Sequence, residues 1–148
     1  MNKEDLVKAG LLFLDEKVIY VIAQITIPGN PATKKNNNQI RINSQTGKRF
    51  IAPSERYKEY EEMCGWFVPK LGIDYPVNIK CVYYRETQAR VDLVNLLEAT
   101  DDILQKYGAI TNDDWHVIAG HDGSRVLFDK KNPRVEITIE RMDTYENK

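Results

Sequence analysis

Two cysteines in 148 residues, Cys64 and Cys81, stand too far apart for a CxxC metal or redox motif. They read as small buried hydrophobes rather than as ligands. No apolar run approaches the roughly 18 residues that a membrane span needs. The longest candidate, 9–14, is flanked by Glu4, Asp5, Asp15 and Glu16. A secretory leader would want a basic start and a longer apolar core, so the expected location is the cytoplasm. Internal repeats and low-complexity segments are missing too. Nor does one sign of charge prevail, since 21 Lys+Arg face 22 Asp+Glu and the formal net charge is -1. That total argues against a domain that holds nucleic acid by bulk positive charge and against an acidic disordered chain. What is there, 42% hydrophobic and 29% charged residues, suits a single soluble domain over 1–148.

Periodicity predicts the elements. Residues 1–16 have helical spacing at Leu6, Ala9, Leu12 and Phe13 and form an extension ahead of the core. A strand over 17–27 ends at Pro28-Gly29-Asn30-Pro31, residues that set turn geometry. Segments 39–43 and 48–52 alternate and flank a short Gly-containing loop, the pattern of a β-hairpin. Ser54 offers an N-cap to a helix over 55–68, whose apolar stripe is Tyr57, Tyr60, Met63, Cys64 and Phe67. A strand over 76–84 precedes the clearest helix, which starts at Asp92 as N-cap and stops at Gly108. Its stripe is Leu93, Leu96, Leu97, Thr100, Ile103 and Leu104. Strands over 115–128 and 134–141 close the chain. The order predicts an α+β fold: a mixed β-sheet with a β-hairpin and two main helices.

The near-zero total conceals a division. Residues 30–60 hold Lys34, Lys35, Arg41, Lys48, Arg49, Arg56 and Lys58 against Glu55 and Glu59, a balance of +5. Residues 86–122 hold Glu86, Asp92, Glu98, Asp101, Asp102, Asp113, Asp114 and Asp122 against Arg90 and Lys106, a balance of -6. A basic, Asn-rich hairpin suits phosphate contacts, because Lys and Arg displace counterions while amides fix register. Lys34, Lys35, Asn36, Arg41, Lys48 and Arg49 are the expected DNA-binding set. Carboxylates at a helix start and in a following turn suit a hard divalent ion, which takes oxygen ligands. Asp92, Asn95, Ala99 and Asp102 lie along one edge of the helical stripe, with Glu98 further round. Singly, each acid also reads as a cap, a turn former or a solvated residue; together with the basic segment they are what a metal-dependent nuclease requires. His116 and His121 read as structural, with His121-Asp122 kept as a residual site candidate, and Trp66 and Trp115 as core or dimer contacts.

The chain resembles the RusA family of Holliday junction resolvases, carried mainly by bacteriophages and prophages. The likeness lies in the leading strand and Pro-rich turn (ITIPGNPATKKNNNQI), the SERYKEY helix start, the strand PVNIKCVYY, the run RVDLVNLLEATDDIL, the acidic turn in KYGAITNDDW and the closing strand PRVEITIERM. It spans 24–142. The resemblance implies a homodimeric α+β endodeoxyribonuclease that binds four-way junctions and nicks two strands in recombination, repair or phage replication, using Mg²⁺, or Mn²⁺ in its place, held by carboxylates. Position by position it implies Asp92 as the first ligand and Asp113 as the turn ligand, or Asp114 if one residue is inserted. Two positions depart from the family pattern: a second Asp falls on Val94 and a Lys falls on Glu98. Glu98 lies one helical turn after Val94 and points roughly the same way, so it is expected to supply the missing carboxylate. The expected catalytic set is then Asp92, Glu98 and Asp113, with Asp114 as a further metal candidate and Asn95 and Asp102 as orienting residues. A junction-binding protein with weak or no cleavage is the second reading, and a structural dimer with surface carboxylates the third.

Overall fold

The computed structural model describes residues 20–34 and 38–142. The expected helix in 1–16, the start of the first strand, and Lys35 and Asn36 lie outside the described residues. Among the described residues, seven strands and two helices follow in order: β1 (Tyr20–Pro28), β2 (Asn38–Ile42), β3 (Arg49–Pro53), α1 (Glu55–Cys64), β4 (Val77–Arg85), α2 (Leu93–Lys106), β5 (Ile118–Gly120), β6 (Arg125–Phe128) and β7 (Arg134–Arg141). The α+β class with a mixed sheet, a hairpin and two helices is as expected.

In the main sheet β7 lies between β1 and β4 and is antiparallel to both. On its far side β4 pairs in parallel with β5 near its start and with β6 near its end. Parallel neighbours need a crossover, and α2 supplies it. Side-chain alternation gives the sheet one buried face. Ile25 and Ile27 of β1, Val77, Ile79, Cys81 and Tyr83 of β4, and Val135, Ile137 and Ile139 of β7 are buried there. Leu96, Ile103 and Leu104 of α2 and Cys64 of α1 pack against them. Both cysteines are fully buried, and burial pushes each thiol up to about 12, which keeps them inert as expected. Two hydroxyls share this interior. Thr100 donates to the Leu96 carbonyl (2.9 Å), so the 2.7 Å contact between Tyr83 and Thr100 has the phenol as donor.

Three features differ from expectation. First, α1 stops at Cys64 rather than at 68, because Gly65, Trp66 and Phe67 bond back three residues instead of four and tighten the last turn. Tyr107 packs so closely there that a Cβ on Gly65 would lie 2.5 Å from its ring. Second, the single strand expected over 115–128 is broken into β5 and β6, with Trp115 in a turn. Third, Trp66 (88%) and Trp115 (72%) are exposed, so neither is a core residue. The hairpin of β2 and β3 is a separate two-stranded sheet. Among the described residues no helix is long and apolar enough to cross a membrane.

Candidate active site

Helix α2 brings its acids to two edges of the stripe it buries. At its start Asp92 is the N-cap, with Oδ1 accepting from the Val94 N–H at 2.9 Å. Along the same edge Oδ2 of Asp102 lies 3.3 Å from Nζ of Lys34. That ammonium in turn lies 5.8 Å from the centre of the buried Tyr57 ring. The pair joins the basic segment to the acidic helix. Asn95 is half-buried and Glu98 exposed on the turns between.

One residue round the helix, Asp101 faces a different neighbour. Its Oδ2 lies 2.9 Å from Nε2 of His121, and Nδ1 of that ring lies 2.8 Å from the Ile79 carbonyl. A carbonyl only accepts, so Nδ1 carries a hydrogen. Nε2 then either donates to the carboxylate or accepts from the carboxylic acid, and in both states one proton sits in the pair. Burial pulls His121 down, but the hydrogen bond and charge of Asp101, with the Ile79 carbonyl, outweigh it and raise the imidazole above its ordinary 6.5. Burial also drives Asp101 above its ordinary 3.8; His121 opposes this, and the charges of Asp102 and Asp113 add to it. The second oxygen, Oδ1 of Asp101, is buried with no hydrogen-bond partner among the described residues.

His121 reaches the helix because the strand breaks at 121–124. In that gap side chains do what a strand backbone would do. Besides the His121 bond to Ile79, Ser124 Oγ accepts from the Cys81 N–H at 3.0 Å. The Asn78 amide donates to the Asp122 carbonyl and accepts from the Asp122 N–H (3.1 and 2.8 Å). The backbone groups of β4 are thus satisfied without regular pairing. Gly123, at φ 85°, lets the chain turn there.

The acidic turn divides its two aspartates by role. Asp114 spends both oxygens on the turn, with Oδ1 accepting from the His116 N–H (2.9 Å) and Oδ2 from the Asn112 amide (3.0 Å). Asn112 Oδ1 accepts from the Asp113 N–H at 2.8 Å. The exposed Asp113 carboxylate takes no part in these bonds, and its charge reaches Asp101. His116 is exposed in this turn, with its ring centre 4.5 Å from that of Trp115.

The trio Asp92, Glu98 and Asp113 is not gathered around one point. Helix α2 returns the chain from the end of β4 to its start, and its 14 residues cover about 21 Å. Asp92 precedes the helix and Asp113 follows it. Among the described residues no group of three or more His, Cys, Asp or Glu is arranged to hold a metal ion. Of the expected DNA contacts, Lys48 and Arg49 are exposed on the hairpin, and Arg41 bonds Glu55 at 2.5 Å, tying the hairpin to α1. Sequence reasoning passed over Asp101 and kept His121 only as a residual candidate. The signal available was a His one residue past Gly120, where glycine in a strand pattern marks a break. No protein-family model matches the chain, and no curated protein is significantly similar to it.

Proposed function

We propose that this protein is a RusA-like endodeoxyribonuclease that nicks branched DNA with the help of Mg²⁺. The proposal rests on the resemblance over 90–114 and on one structural observation, the docking of the basic segment onto the acidic helix through Lys34 and Asp102. A phosphate drawn to Lys34 would lie beside the edge of α2 that carries Asp102. A C2 homodimer would offer two identical sites for opposed nicks.

Mg²⁺ commonly keeps several waters and takes only one or two carboxylates, with substrate phosphate completing its shell. That no three-carboxylate cage is preassembled among the described residues is compatible with an ion that arrives with DNA. Among the expected ligands Asp113 is the best suited, since Asp114 is committed to its turn and Asp92 has one oxygen in the helix cap. When bound, the ion would orient the attacking water and stabilise charge on the scissile phosphate. Lys34 would hold an adjacent phosphate, and the Asp101–His121 pair would fix α2 against the sheet.

Incubation with a synthetic four-way junction, with and without Mg²⁺ or Mn²⁺, tests the reading. Paired, metal-dependent nicks are expected. A metal-independent mobility shift without nicks would favour the second reading, a junction-binding protein, and neither result would leave both readings without support.

A further inference from the structure

The hairpin of β2 and β3 is built in a way that neither a packed core nor phosphate gripping alone explains. Among the described residues it pairs with no other strand, and an isolated two-stranded hairpin is marginal in water. Residues directly opposite in an antiparallel pair share a face. Ile42 stands opposite Arg49, and Arg41 opposite Phe50. Alternation therefore gives one face Ile40, Ile42 and Arg49, and the other Arg41 and Phe50. Ile40 is 71% exposed, Ile42 66% and Phe50 46%. A hairpin meant to lie on a protein core would keep its apolar residues on one side. Here, among the described side chains, each face holds both an exposed hydrophobe and an arginine, and 38–53 contains no acidic residue.

Resting on the nuclease reading, we propose that this hairpin inserts at the branch point of the DNA. Ile40, Ile42 and Phe50 would lie against unstacked bases, while Lys48 and Arg49 would hold the flanking phosphates and Arg41 keeps the hairpin tied to Glu55 of α1. Apolar wedges beside cations are how proteins open base steps, and aromatic rings accept any base by stacking. An anionic bilayer also attracts basic and apolar residues, but it offers a single plane, onto which one apolar face would be laid. Hydrophobes on both faces favour insertion between two surfaces, such as the arms of a junction.

The test compares wild type with Ile42→Ser, Phe50→Ser and Lys48→Ala in Ca²⁺, using a four-way junction with 2-aminopurine beside the branch and a linear duplex of the same sequence. Wild type should brighten the 2-aminopurine on binding. Ile42→Ser and Phe50→Ser should lose that signal and bind the junction about ten-fold more weakly, with duplex affinity and salt slope unchanged. Lys48→Ala should weaken both DNAs alike and lower the salt slope by about one. An unaltered junction-to-duplex ratio in the apolar variants would overturn the insertion while sparing the nuclease reading. So would loss of anionic-vesicle binding, or of a dimer in sedimentation, in place of the DNA effect. Absence of any DNA binding by wild type would remove both. Because Ile42, Lys48 and Phe50 are exposed, unchanged thermal midpoints should accompany these variants.

Discussion

His121 bridges two layers of the fold, with Nδ1 on the Ile79 carbonyl of the sheet and Nε2 on Asp101 of the helix that covers it. One ring thereby fixes the distance between β4 and α2. Asp101 and His121 both hold protons more tightly folded than unfolded, since each is raised above its ordinary value. Each therefore contributes stability in full below its unfolded value and loses it as pH rises through the folded one. The thermal midpoint of wild type should fall more steeply than that of Asp101→Asn as pH rises above the ordinary imidazole value of 6.5. Parallel curves for the two proteins would sink the assignment. His121→Ala leaves a buried carboxylate unpaired and should cost about 3 kcal/mol at neutral pH by urea denaturation.

Thr100→Val keeps the shape of the interior but leaves the buried Tyr83 hydroxyl without its acceptor. A loss of about 1 to 3 kcal/mol is expected. Thr100→Ser retains the oxygen and should lose less, and chemical denaturation of the two side by side checks the difference.

Lys34 and Asp102 are 42% and 34% exposed at their side chains, so water screens their pairing. Lys34→Ala should change stability by no more than about 1 kcal/mol. Under the nuclease reading it should still weaken DNA binding and reduce the salt slope by about one, a contrast that fluorescence anisotropy and thermal melting resolve together.

The division of labour in the acidic turn predicts opposite outcomes for adjacent residues. Under the nuclease reading, Asp113→Asn should abolish metal-dependent nicking while leaving the melting curve in place. Asp114→Ala should lower stability by about 1 kcal/mol, because the His116 N–H and the Asn112 amide lose their acceptor. Glu98→Gln should reduce nicking at least about ten-fold if Glu98 replaces the carboxylate missing at Val94; full activity would show that it does not.

The strands and the main helix were legible because one-sided burial imposes period two on β4 and β7 and a stripe on α2. Asp92 was legible as a cap for the same local reason: its carboxylate serves an N–H two residues away. Contacts over long sequence distance were not. The Asp101–His121 bond spans 20 residues and the Asn78–Asp122 clamp 44, and both depend on a break in the strand that alternation alone does not foresee. The early end of α1 was missed because Trp66 and Phe67 continue an apolar pattern that the tightened turn leaves partly in solvent. Asp92 and Asp113 were named through the family resemblance, which carries positions along the chain and not the space between them; α2 lies between the two, and among the described residues no three such groups are arranged to hold a metal ion.

The split edge of the sheet leaves little template for pairing with a neighbouring molecule. An unbroken strand over 115–128 would expose a long row of backbone donors and acceptors, a template for pairing with a neighbouring molecule. Instead, three-residue and four-residue pieces flank a gap stitched by side chains. Replacing the His121–Ser124 gap with a continuous strand sequence would restore the template and favour fibre growth from that edge.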